Sequence, residues 1–98
     1  MGKELERVRT RIHKKEEEIR GKYKAEIVGV FGSYARGEQK KDSDLDILVR
    51  FHEGATLFDF VGLANFLEEE LQMNVDLVSE RAIRKELRER ILTEVTPV

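Results

Sequence analysis

The sequence predicts an α/β (α+β) domain, a small mixed β-sheet backed by helices. Three runs rich in β-branched and apolar residues, 25–31, 44–51 and 75–78, have strand character. Runs of helical period stand before, between and after them. The resulting order of helix, strand, strand, helix, strand, helix packs most simply as a sheet with helices against it. No repeat, low-complexity tract or Pro/Ser-rich linker interrupts the chain, so residues 1–98 read as one domain sharing a single thin core.

From about residue 3 to residue 20, Leu5, Val8, Ile12 and Ile19 form a narrow apolar stripe on a highly charged helix, with Gly21 placed to stop it. The run "AEIVGVF" then ends at Gly32, which marks a buried strand followed by a turn. The second strand is "DLDILVRF", and "HEGAT" breaks the chain after it. Leu57, Phe58, Val61, Ala64, Leu67 and Leu71 recur at helical spacing, with Thr56 as N-cap and Asn74 as the C-terminal stop. "VDLV" is a short third strand. Ser79 and Glu80 open a last helix carrying Ile83, Leu87 and Ile91, and the single proline, Pro97, falls after its end.

Composition excludes several function classes. Eighteen basic and twenty acidic residues leave a net charge of -2, and no basic block dominates either half, so direct nucleic-acid binding is not expected. The absence of cysteine removes disulfides, thiolate nucleophiles and Cys-ligated zinc, and a reducing cytoplasm is the simplest compartment. No apolar stretch approaches membrane-spanning length, and the N-terminus carries Glu4, Glu6 and Arg7 rather than a signal core. His13 and His52 have no partner at metal-ligand spacing.

The chemistry concentrates in "GSYARGEQKKDSDLDILV", residues 32–49. Side chains alternate along a strand, so Asp44 and Asp46 share a face with Cα atoms roughly 6.5 to 7 Å apart. Two ionised carboxylates so placed repel unless a cation lies between them or one takes a proton. Hard oxygen donors with open positions suit Mg²⁺. Asp76, isolated among apolar neighbours in "VDLV", adds a third carboxylate if its strand lies beside the Asp44/Asp46 strand, and three carboxylates can hold two metal ions for an in-line phosphoryl displacement. Gly32 would let the backbone approach a ligand closely. The N–H groups of Ser33 and Tyr34, with the Ser33 hydroxyl, would grip phosphate oxygens, and Arg36 would add a bidentate contact. Each residue also has a plainer reading: charged edge-strand residues for Asp44 and Asp46, a helix cap or wet face for Asp76, an ordinary turn for Gly32-Ser33, and a solvated surface arginine for Arg36.

Taken together, Gly32-Ser33, ten intervening residues, Asp44-Leu45-Asp46 and a later Asp76 on a separate strand resemble the polymerase-beta-like nucleotidyltransferase superfamily, and most closely its minimal nucleotidyltransferases (MNT). The resemblance implies transfer of a nucleoside monophosphate from a triphosphate, with ATP as substrate and a pair of Mg²⁺ ions. It implies Asp44 and Asp46 as metal ligands, Asp76 as ligand and acceptor-activating base, and Gly32 and Ser33 as the triphosphate grip. The further helical domain of larger relatives has no expected counterpart between Met1 and Val98.

Minimal nucleotidyltransferases are commonly paired with a HEPN protein. The resemblance therefore implies an antitoxin that attaches AMP to a hydroxyl of a HEPN-family toxin, the acceptor being a tyrosine. Two alternatives stand beside it: nucleotidyl transfer to a small-molecule acceptor, and a non-catalytic antitoxin that neutralises by binding.

Overall fold

In the computed structural model, which describes residues 3–98, helix α1 (Lys3–Lys14) and helix α2 (Glu16–Tyr23) precede strand β1 (Ala25–Phe31). A short helix α3 (Ser33–Arg36), strand β2 (Leu45–Phe51), helix α4 (Leu57–Leu71) and strand β3 (Val75–Ser79) follow. The chain ends in a 3-10 turn (Glu80–Ala82), helix α5 (Lys85–Glu94) and the two-residue strand β4 (Thr96–Pro97). The sheet order is β3-β2-β1-β4, with β1 antiparallel to β2 and β4, and β2 parallel to β3. The expected mixed sheet is therefore present, and α4 is the crossover that its parallel pair requires.

Alternation along β2 divides the sheet into two faces. Leu45, Ile47 and Val49 turn to the helical layer, where they join Leu5, Val8 and Ile12 of α1, Ile19 of α2, and Leu63, Leu67 and Leu71 of α4 in one apolar cluster. Each fully buried aliphatic side chain there contributes about 1.5–3 kcal/mol of transfer free energy. The opposite face carries Asp46, Leu48 and Arg50 from β2. Leu48 is completely buried yet lies outside that cluster.

The single N-terminal helix expected over residues 3–20 is two helices. The chain turns at Lys15 (φ -109, ψ 8), whose N–H bonds to the Ile12 carbonyl at 3.0 Å, and its own carbonyl accepts from Ile19 at 2.9 Å to start α2. The break turns α2 toward β1 and α4, where the Tyr23 ring meets Phe66 with centroids 5.5 Å apart. Gly21 lies inside α2, and the helix stops instead at Lys24 in the left-handed conformation (φ 54, ψ 47).

Helix α4 begins at the expected cap. The Thr56 N–H donates to Asp59 Oδ2 at 2.8 Å, one half of a capping box. It ends at Gln72, left-handed at φ 56, two residues before the expected stop at Asn74. The last helix starts at Lys85 rather than at Ser79-Glu80, after the 3-10 turn.

Strand β4 was not expected. Pro97 is tolerated because β4 is an edge strand, where a missing N–H breaks no inner ladder. Gly29, paired with Pro97, makes room for it: a Cβ at Gly29 would lie 2.4 Å from the Thr96 carbonyl oxygen. Among the described residues no helix is long and apolar enough to cross a membrane.

Candidate active site

Register builds the site. Parallel pairing of β2 with β3 places Asp46 opposite Asp76, and antiparallel pairing of β1 with β2 places Phe31 opposite the same Asp46. The turn that follows Phe31 is thereby delivered to the two acids. Asp44 sits one residue before β2, exposed to solvent, rather than within the strand as expected.

Gly32 adopts φ 76, ψ -151, a backbone that side chains disfavour. A Cβ there would come within 2.0 Å of Asp46 Oδ2. The turn thus rests directly on the Asp46 carboxylate. Behind it, α3 closes with the Arg36 N–H on the Gly32 carbonyl at 3.1 Å, and Gly37 ends the turn in the left-handed conformation at φ 71. The first N–H groups of such a turn, those of Ser33 and Tyr34, have no partner within it and follow directly on the glycine that touches Asp46.

The electrostatics of the site centre on Asp46. Partial burial, then the negative charge of Asp76, a hydrogen bond shared with Asp76, and the charge of Asp44 push its carboxyl up to about 6 from an ordinary 3.8, with Arg36 opposing. The tight element is therefore a pair, Asp46 with Asp76, and Asp44 acts on it through its charge. Among the described residues no three His, Cys, Asp or Glu side chains are gathered closely enough to hold a metal ion as they stand. The Asp46–Asp76 pair nonetheless fits a hard divalent cation: its donors are all oxygen, and a positive charge would relieve the repulsion that raises the affinity of Asp46 for a proton.

Arg36 is exposed and close enough for its charge to act on Asp46. Its guanidinium is already engaged, with Nε on Glu38 Oε1 at 2.9 Å and Nη1 on Glu94 Oε1 of α5. The sequence pattern gave no signal for Glu94, which lies 58 residues away. A second ion-pair network covers the same face of the sheet. Arg50 bonds Glu80 and Glu26, each at 2.9 Å, and Arg88 of α5 approaches Glu80 at 3.8 Å.

A surface cleft of about 600 Å³ is lined by residues that include Tyr34, Lys41, Ser43, Gln72 and Asn74, and by none of the three acids. Ser43 and Asn74 belong to the segments that enter β2 and β3, where the Leu45 N–H bonds to the Asn74 carbonyl at 2.9 Å. Of the three acids, Asp44 and Asp76 are exposed and Asp46 is half-buried.

The chain matches the nucleotidyltransferase domain family over residues 8–98. It is 43% identical over 95 residues to a protein adenylyltransferase, MntA, of Thermococcus cleftensis, covering 97% of this chain and 93% of that protein. A solved minimal nucleotidyltransferase superposes with a TM-score of 0.82 at 46% identity, covering 96% of this chain and 95% of the other. A toxin–antitoxin structure with AMP-PNP superposes with a TM-score of 0.68 at 28% identity, covering 86% of this chain and 69% of that one. With sequence and fold agreeing over nearly the whole length, the chain belongs to the nucleotidyltransferase domain family, among its minimal nucleotidyltransferases, and is an enzyme of that class.

Proposed function

We propose that this nucleotidyltransferase transfers AMP from ATP to a tyrosine hydroxyl of a HEPN-family toxin and so acts as an antitoxin by protein adenylylation. The observation that carries the reading is the Asp46–Asp76 pair set against the Gly32 turn. Opposed negative groups and a backbone that admits no side chain suit a metal–polyphosphate complex held from two sides. The adenylyltransferase relative and the structure with AMP-PNP support ATP as donor and a protein as acceptor.

In the reaction, the acceptor oxygen attacks the α-phosphorus. A new O–P bond forms, the bond from that phosphorus to the α–β bridging oxygen breaks, and pyrophosphate leaves with that oxygen. Asp76, exposed at the surface, takes the proton of the acceptor hydroxyl. Ser33 and the N–H groups of the Gly32 turn orient the phosphates, with Arg36 at their edge. Mg²⁺ held by the Asp46–Asp76 pair, with Asp44 joining it as a third ligand once the ion is bound, would supply charge that neutralises the phosphate oxygens and the departing pyrophosphate.

The test is to incubate the chain with Mg²⁺, ATP and its HEPN partner and to weigh the partner by intact mass spectrometry. A gain of one or more AMP units, located on tyrosine and abolished by Asp44→Asn with Asp46→Asn, is expected. An unchanged mass, together with full neutralisation by the doubly substituted chain, would replace the catalytic reading with neutralisation by binding.

A further inference from the structure

We infer that Glu94 of α5 competes with the phosphates of a nucleoside triphosphate for Arg36, so that α5 is a built-in brake on nucleotide binding. The inference rests on the nucleotide reading above and adds a regulatory element to it. Arg36 closes the Gly32 turn that rests on Asp46, where a polyphosphate would lie, yet its Nε and Nη1 are engaged by two carboxylates. They are not equivalent: the Glu38 side chain is 66% exposed and belongs to the loop after α3, whereas that of Glu94 is 20% exposed and comes from the far end of the chain.

Phosphate oxygens and the Glu94 carboxylate are like charges drawn to the same guanidinium, so each weakens the hold of the other. The helix that carries Glu94 is suited to yield. No residue of α5 is buried, Leu87 and Leu92 on it are 45% and 43% exposed, and the β4 ladder that follows it is only two residue pairs long. A cleft of about 550 Å³ already separates α5 from α3, lined by Arg36, Glu89, Arg90, Thr93 and Glu94. Its second guanidinium, Arg90, offers a further cation to the same phosphates.

Calorimetric titration of Mg²⁺ with AMP-PNP into the full chain tests this, with each variant's fold checked by thermal melting. Because exposed ion pairs are individually weak, Glu94→Gln is expected to bind about 2- to 5-fold tighter than wild type. Glu38→Gln should gain less, and the gain from Glu94→Gln should vanish when Arg36→Ala is already present. Should Glu94→Gln fail to fold, Glu94→Asp, which withdraws the carboxylate by one methylene, is expected to show a smaller gain. Equal or weaker binding by the folded Glu94 variants, while wild type saturates, would overturn the brake and leave the nucleotide site standing. A gain that persists without Arg36 would also overturn it. No saturable binding by folded wild type or any variant would defeat the nucleotide reading, and the brake with it.

Discussion

The two faces of one strand, β2, are built to opposite rules. Toward the helices, Leu45, Ile47 and Val49 are wholly buried among aliphatic side chains from α1, α2 and α4. Toward the other side, Asp46 faces Asp76 across the ladder and Arg50 bridges two glutamates. The first face gains stability from burial; the second holds like charges together at a cost to it, evident in the upward shift of Asp46. Leu48, completely buried on the second face, is the exception; otherwise the fold's stability and its chemistry reside on opposite faces of the same seven-residue strand, and substitutions can separate them.

The sharpest way to break the contrast is Asp46→Asn. Transfer to the partner should fall by more than the roughly 100-fold that loss of a merely supporting group costs a metal site. At neutral pH the melting temperature should hold or rise, because the opposed charge is gone. A variant that loses activity and stability together would place Asp46 on the structural side of the comparison. Leu63→Ala is the mirror experiment. Emptying a fully buried position should lower unfolding free energy by about 2–5 kcal/mol in denaturant titration, with transfer per folded molecule unchanged at low temperature.

The smallest effect sharpens the electrostatic half. The folded-state value of Asp46, about 6, lies above its unfolded 3.8, so the protein binds an extra proton on folding in that window. The destabilisation from this group is full above pH 6 and fades as pH falls toward 4. Millimolar Mg²⁺ should therefore raise the melting temperature at pH 7.5 and much less at pH 5, in scans at matched ionic strength. An equal shift at both pH values, or a shift that survives Asp46→Asn, would remove the cation from this pair.

Much of this organisation was legible in the sequence because short-range rules dominate where apolar pattern is strong. β1, β2, α4 and β3 each carry their period in their own residues, and the Thr56 cap announces itself. The Gly32 turn and the alternation of Asp46 were readable for the same reason. The break at Lys15 was not, since Lys14, Lys15 and Glu16 to Glu18 are compatible with an unbroken helix and it is packing of α2 against β1 and α4 that separates the halves. β4 was invisible as well: two residues have no period, and its place depends on the gap at Gly29 and on Arg9 bonding the Pro97 carbonyl at 2.8 Å. The Arg36–Glu94 pair joins residues 58 positions apart in the chain, which no local pattern encodes.

The parallel register of β2 and β3 also constrains how this chain can vary. Asp76 meets Asp46 only because the link from Leu71 to Val75, through the left-handed Gln72, has the length it has. Inserting or deleting one residue there would turn Asp76 inward and bring Val75 or Leu77 outward, reversing the strand's two sides in a single step. That short connector should tolerate exchanges of side chain but not changes of length, whereas the loop between Gly37 and Asp44, which sets no such phase for β3, is where extra residues can accumulate.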